Sequence, residues 1–272
     1  MISENRWPPA FEGDEPLNLG GNLPCLLGVP KEPGKARGIA VAVHGISRNA
    51  HEHFCAFAPL ANATNWILLA PLFDAGSFPD YQRLGRPGKG ERADLALIVA
   101  LSNLRGRLDL PQRPVYLFGH SGGAQFVHRF AMTHPGHVAR YAISAPGWYT
   151  FPDDTLDYPY GLARPPTSFG ALRPADFLKI PGIVFVGSGD CRDGRTLRRD
   201  AVVDAHQGDH RQERAMRWTG AMNARARAMG LVEPLRLKQL EDAAHSFSGL
   251  VRRGRLHEHV WKFLTVSGEA VA

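Results

Sequence analysis

The chain has 272 residues, 44% of them hydrophobic and 21% charged. That is the composition of a globular protein able to bury a large core, which excludes disordered, collagen-like and fibrous classes. The formal charge is +6, but the surplus is mostly arginine dispersed along the sequence, without a basic block interleaved with aromatic residues, so a nucleic-acid partner is not expected. No run of about 18 uninterrupted apolar residues occurs, so a membrane partner is not expected either. The opening Met1-Ile2-Ser3-Glu4-Asn5-Arg6-Trp7-Pro8-Pro9 has an acidic residue and prolines where a secretory signal needs apolar residues, which points to a cytoplasmic, soluble protein. Cys25, Cys55 and Cys191 are too few and too scattered for a disulfide framework, and none belongs to a paired Cys-x-x-Cys motif. No cofactor is implied, and the sequence carries no sign of oligomeric state.

Residues 1–37 are rich in Pro and Gly, as expected of an irregular start with short edge strands. The apolar runs 38–44 and 66–70 then read as buried strands. Between them, Phe54, Phe57, Ala58 and Ala61 fall at helical spacing within 51–63. A second helix is expected over 92–108, with Leu95, Ile98, Val99 and Leu101 as its apolar stripe. Strand 115–118, helix 124–132, strands 141–144 and 183–186, helix 211–229, strand 235–240 and a closing helix at 256–264 follow. This alternation predicts an α/β fold: a mostly parallel central sheet flanked by helices on both faces, with sites at the carboxyl ends of its strands. The default organisation is a single domain over 1–272. The stretch 147–180 breaks the rhythm with Trp148, Tyr149, Phe151, Tyr158, Tyr160, Phe169 and several prolines. Such a long aperiodic loop reads as a small cap or pocket-wall insertion.

Gly119-His120-Ser121-Gly122-Gly123 lies directly between an apolar strand and a helix with Ala124, Val127, Phe130 and Ala131 on one stripe. That is the context in which a G-x-S-x-G motif forms a sharp turn and lifts a serine hydroxyl above the sheet. Gly119 and Gly123 relieve the crowding of such a turn, and the helix start behind it presents amides to developing negative charge. With His44-Gly45 after an early strand, Gly187-Ser188-Gly189-Asp190 after a late one, and Ala243-Ala244-His245-Ser246-Phe247 before the last helix, the sequence resembles the α/β-hydrolase superfamily from about Gly38 onward. The resemblance implies a serine hydrolase in which Ser121 is the nucleophile.

A serine hydroxyl needs a base, and the base a carboxylate to orient it. Of twelve histidines, His245 occupies the place of the superfamily's catalytic histidine, in a loop between the last strand and the closing helix. His120 is expected to pack or line the pocket. The other histidines, including His51-x-His53, His206 with His210 and His257-x-His259, read as surface residues, and no metal site is expected because neither H-x-H pair has a convincing third ligand. In similar hydrolases the acid sits three residues past the strand-ending glycine, which selects Asp190. Asp193 is the runner-up, Asp153 and Asp154 are further alternatives, and Asp242 reads as a turn residue.

The Gly122 amide is an expected oxyanion donor, and similar enzymes place the second on the residue after the His-Gly pair, which nominates Ile46, with Ser47 as alternative. Ile46-Ser47-Arg48 departs from the run of glycines that lipase-like relatives carry here. Trp148 and Tyr149 are nominated to contact substrate, and the aromatic loop suggests a small to medium apolar or aromatic ester. The expected activity is therefore carboxylic ester hydrolysis on a small molecule through an acyl-enzyme. Amidase, peptidase, thioesterase and acyltransferase remain alternatives on the same chemistry. A catalytically silent ligand-binding protein is the alternative from another class.

Overall fold

A computed structural model describes residues 15–169, 172–191 and 197–266. Eight strands form one sheet: β1 (Leu17–Asn18), β2 (Pro24–Gly28), β3 (Ile39–Val43), β4 (Ile67–Pro71), β5 (Val115–His120), β6 (Val138–Ser144), β7 (Gly182–Gly187) and β8 (Leu235–Leu240), in the order β1-β2-β4-β3-β5-β6-β7-β8. The pairings β1/β2 and β2/β4 are antiparallel and all the rest parallel. The Pro- and Gly-rich start thus supplies a two-strand antiparallel edge, as its composition suggested.

Eight helices complete the described chain: α1 (Ala50–Thr64), α2 (Ala93–Leu108), α3 (Gly122–Thr133), α4 (Pro174–Phe177), α5 (Ala201–Gln207), α6 (Arg211–Ala228), α7 (Phe247–Arg252) and α8 (Leu256–Thr265). The continuous apolar strands are explained by burial on both faces. Successive residues alternate between two cores. Val41, Val43, Leu117, Ile143 and Val184 join α2, α3 and α6 on one face. Ala40, Ala42, Phe118, Ala142 and Phe185 join α1, α7 and α8 on the other.

Two helices differ from their sequence patterns. In α2, Leu95 and Val99 are exposed, and the buried stripe is Ala93, Ala96, Leu97, Ala100, Leu101 and Leu104. So many residues in this helix are apolar that two overlapping stripes satisfy the same period, and packing selects the one whose alanines let the helix approach the sheet. In α3 every residue is buried, polar ones included. The polar flank that the pattern assigns to water is covered by the segment that follows β6. His128 Nε2 accepts from the Thr150 amide at 3.1 Å, and Arg129 Nε donates to Thr150 Oγ1 at 2.9 Å.

That segment is held inward by Arg214, which is fully buried. Its guanidinium donates to the carbonyls of Gly208 at 2.8 Å, Arg198 at 3.2 Å and Gly147, and pairs with Asp204. Tyr149 is fixed alongside by a two-way amide bond with Gln207, its N–H donating to Oε1 at 2.8 Å and its carbonyl accepting from Nε2 at 2.9 Å.

Arg214→Met removes these donors and leaves a half-buried carboxylate and three carbonyls without them. The variant is expected to lose about 3 kcal/mol of stability, which lowers Tm by roughly 6 to 12 °C for a chain of this size. A thermal melt followed by circular dichroism measures it, and a Tm within about 2 °C of the parent's would mean that the segment is held by other contacts.

Candidate active site

The strand β5 ends in the middle of the sheet and passes straight into α3, with Ser121 at the junction. Ser121 has φ 52° and ψ −110°, a strained conformation for a residue with a side chain, of the kind that concentrates at functional sites. Glycine is required on both sides. A Cβ on Gly119 would lie 2.3 Å from the Gly123 carbonyl oxygen, and one on Gly123 would lie 2.3 Å from the Val43 carbonyl oxygen. The turn is tied to the neighbouring strand by the Ser121 amide, which donates to the Ser144 carbonyl at 2.8 Å.

His245 arrives from the loop after β8. Its Nε2 is 3.2 Å from Ser121 Oγ, and its Nδ1 is 3.1 Å from Asp190 Oδ2. Asp190 is 4% exposed, and its other oxygen accepts from Arg211 Nη1 at 3.0 Å. The loops bearing Asp190 and His245 are locked together by backbone bonds: Ser188 N donates to the Leu240 carbonyl at 2.8 Å and Gly189 N to the Ala243 carbonyl at 2.9 Å. Gly187 permits this approach, since a Cβ there would lie 2.2 Å from the Ala243 oxygen. With Nδ1–H directed at the buried carboxylate, Nε2 is left as an acceptor facing the serine hydroxyl.

The loop after β3 closes the other side. A Cβ on Gly122 would lie 2.8 Å from Ile46 Cγ2 and 3.3 Å from the Ile46 amide nitrogen, so the two amides nominated as oxyanion donors belong to one crowded contact. His44 fixes this loop. Its ring donates from Nδ1 to the Gly45 carbonyl at 2.8 Å, and Nε2 accepts the Phe73 amide at 3.0 Å. Tyr81 Oη donates to the His44 carbonyl at 3.0 Å. Burial pushes the His44 pKa down to about 4, so the ring is neutral near pH 7, as its acceptor role at Nε2 requires. The side chain of Ile46 is 56% exposed at the mouth of the site.

His120 packs behind His245, their ring centroids 5.0 Å apart. Burial, and then the neighbouring His245, hold its pKa well below the usual value. This agrees with the packing role that its place beside Ser121 suggests.

His53 departs from the surface reading. It is 1% exposed and stacked on Phe247 at 3.8 Å, because α1 turns its 53/54/57 face toward the sheet. Its partner in the H-x-H pair, His51, lies on the exposed side, so the two are separated by the helix rather than joined by it. Among the described residues no group of three or more metal-ligating side chains occurs, and no helix is long and apolar enough to cross a membrane.

Trp148 and Tyr149 are buried, at 4% and 0% exposure. Tyr149 stacks on Trp218 at 4.7 Å, and Trp148 lies beneath arginines. Neither forms an open wall. Of the alternative acids, Asp193 lies outside the described residues. Asp154 pairs with Arg225 at 3.0 Å, and Asp153 accepts from Thr155 N at 2.8 Å. Asp242 is an exposed residue with φ 53°, as a turn requires.

Sequence patterns missed two features. Arg211 begins α6 and reaches the Asp190 carboxylate across 21 residues, with no local signal. The helix α7, capped by Ser246 Oγ accepting from Gly249 N at 3.1 Å, shortens the loop that carries His245. The residue following the histidine is a serine, a preferred N-cap type, and that was the available clue.

No protein-family model matches the chain, and no curated protein matches it. Solved structures do. Poly(aspartic acid) hydrolase-1 from Sphingomonas sp. KT-1 is 25% identical with a TM-score of 0.75, covering 88% of this chain and 93% of that one. LpqC, a poly(3-hydroxybutyrate) depolymerase from Bordetella parapertussis, is 23% identical with a TM-score of 0.73, covering 92% and 86%. The chain has the α/β-hydrolase fold. A more distant likeness, to an S-formylglutathione hydrolase from Agrobacterium tumefaciens, has 14% identity and a TM-score of 0.56, covering 88% and 89%.

The buried neutral histidines make the fold acid-sensitive. The pKa of His44 lies near 4 and that of His53 near 3, both lowered by burial, against about 6.5 in an unfolded chain. Between these values the unfolded state binds protons that the folded state refuses. Stability is therefore full above pH 6.5 and declines as pH falls toward 4, by up to ~1.4 kcal/mol per pH unit for each histidine. A Tm series against pH should show this decline, and His53→Phe, which keeps a ring on Phe247, should show a shallower one. An equal slope in both proteins would exclude His53 as a source.

Proposed function

We propose that this α/β-hydrolase-fold chain is a serine hydrolase that cleaves carboxylic esters through an acyl-enzyme. Ser121 Oγ attacks the carbonyl carbon as His245 Nε2 takes its proton. Asp190 holds the imidazole in the Nδ1–H tautomer and stabilises the imidazolium that forms. The amides of Gly122 and Ile46 receive the oxyanion, each contributing about 3 kcal/mol to the transition state. His245 then returns the proton to the leaving alcohol. Water, activated by the same imidazole, releases the acid and restores Ser121. The observation that carries this assignment is the unbroken series of 3.2 Å and 3.1 Å contacts from serine to histidine to carboxylate.

On the substrate side, the exposed Ile46 side chain offers an apolar contact at the mouth, in keeping with a small or medium ester. The burial of Trp148 and Tyr149 removes the support that an aromatic wall would have given to aromatic groups. A second reading, amide hydrolysis by the same residues, is favoured by the likeness to an enzyme named for poly(aspartic acid), a polymer joined by amide bonds. The seat of the reaction is common to both.

A fluorophosphonate probe should label the protein, and Ser121→Ala should abolish both labelling and turnover of p-nitrophenyl butyrate, with a loss of at least ~10³-fold in kcat. Asp190→Asn should label slowly and lose about 10⁴-fold in kcat by releasing the wrong tautomer. Undiminished labelling of Ser121→Ala would rule out Ser121 as nucleophile. Parallel assay of p-nitrophenyl butyrate and its anilide separates ester from amide preference.

A further inference from the structure

The arginines that look dispersed along the sequence converge in space beside the proposed nucleophile's helix. Around the single ring of Trp148 stand the guanidinium carbons of Arg129 at 4.2 Å, Arg83 at 5.4 Å and Arg198 at 5.5 Å from its centroid. They come from α3, from the 3-10 turn Tyr81–Arg83 and from the segment before α5.

Among the described residues two carboxylates answer the three charges: Asp200, which accepts from Arg198 Nη2 at 3.1 Å, and Asp80, which acts on Arg83 but is shared with Arg86. Arg129 is 1% exposed, and its donors go to neutral oxygens only, on Thr150 at 2.9 Å and on Gln82 at 2.8 Å and Gln125 at 3.3 Å. Among the described residues, its Nη2 and the Nε of Arg198 have no hydrogen-bond partner.

A buried guanidinium without a counterion is costly, and a cation–π contact with one ring recovers only part of that cost. Three like charges around that ring also repel. Burial, opposed by Tyr158 and reinforced by the neighbouring Arg83, holds the Arg129 pKa near 10, and Arg83 itself is lowered by burial, opposed by Asp80 and reinforced by Arg198. Such a cluster is stabilised by an anion.

Its place says which anion matters. Arg129 stands two turns along α3 from Ser121, about 12 Å of helix rise, and Gln125 bridges the interval, its Oε1 accepting from Arg129 Nη1 at 3.4 Å.

We propose that Arg83, Arg129 and Arg198, seated on Trp148, form a carboxylate-recognition subsite, so that the preferred substrates of this hydrolase carry an anionic group several bonds from the scissile linkage. This rests on the assignment of Ser121 as nucleophile. Arginine suits the task because its planar fork binds carboxylate with two donors and keeps its charge when partly buried. Arg83 and Arg198 are half-buried, which leaves them open to an incoming group, while Arg129 supplies a fixed charge beneath.

The test compares charged and neutral esters of equal length. The p-nitrophenyl monoester of suberic acid is set against p-nitrophenyl octanoate, which varies the acyl side. The acetate ester of 6-hydroxyhexanoic acid is set against hexyl acetate, which varies the alcohol side. In at least one pair the parent protein should favour the carboxylate by about tenfold or more in kcat/KM, expressed in KM. Arg83→Gln and Arg198→Gln should each cut that charged-to-neutral ratio about tenfold. Arg198→Lys should retain part of it, and 0.5 M NaCl should compress it.

Independently of turnover, the Ser121→Ala protein should bind disodium suberate by titration calorimetry, and adding Arg198→Gln should weaken that binding about tenfold. A ratio near one in both pairs, or a ratio unmoved by the glutamine variants, together with no suberate binding, overturns the subsite and leaves the arginines as packing for Trp148. Failure of the nucleophile assignment appears separately, as fluorophosphonate labelling that survives Ser121→Ala.

Discussion

The backbone crossing at Gly119 and Gly123 is the constraint on which the rest of this molecule depends. Two carbonyl oxygens, of Gly123 and Val43, occupy the space where side chains would otherwise stand, so β5 can turn into α3 within a single residue and press that helix against β3. The left-handed φ of Ser121 is tolerated because the surrounding packing leaves the chain no other path. Everything above the sheet is placed relative to that residue. The loop of His44 to Ile46 fits against Gly122, the 3-10 turn at Tyr81 closes over both, and β6 supplies the carbonyl that holds the Ser121 amide.

A second tight approach, at Gly187, does the corresponding work for the other half of the site. It lets the turn bearing Asp190 and the loop bearing His245 share backbone hydrogen bonds, so the proposed acid and base are positioned as a pair. The Asp190 carboxylate then divides its oxygens between His245 and Arg211. A buried carboxylate satisfied at both oxygens has little freedom to rotate away from the imidazole.

What could be read from the sequence follows physical locality. The central strands were legible because a strand buried on both faces is a short apolar run. The juxtaposition of Ser121, His245 and Asp190 was legible because each follows a strand end within a few residues and is marked by glycines or by a short loop. The buried face of α2 was not, since its leucines and valines satisfy two stripes at once. Nor was the burial of His53 or of the polar flank of α3, where a segment from beyond β6 covers what period alone assigns to water. The partnership of Arg211 with Asp190 and the gathering of Arg83, Arg129 and Arg198 are purely tertiary: residues tens of positions apart meet only because the sheet order brings their segments to one end. Trp148 shows the limit of composition most clearly, being aromatic and adjacent to the site, yet a support for cations rather than a wall.

The sheet order has a consequence for how the chain comes alive. The proposed base is carried beyond β8, an edge strand paired with β7, and 124 positions separate His245 from Ser121. Parallel pairings of this kind close late, because their loop entropy is lost before contacts are gained. Ser121 and His245 are therefore brought together by contacts of high sequence separation, across the sheet from β5 to β8. The arrangement is thus a property of the whole sheet: freeing β8 from β7 would carry His245 away from Ser121 while leaving the β5–α3 turn in place.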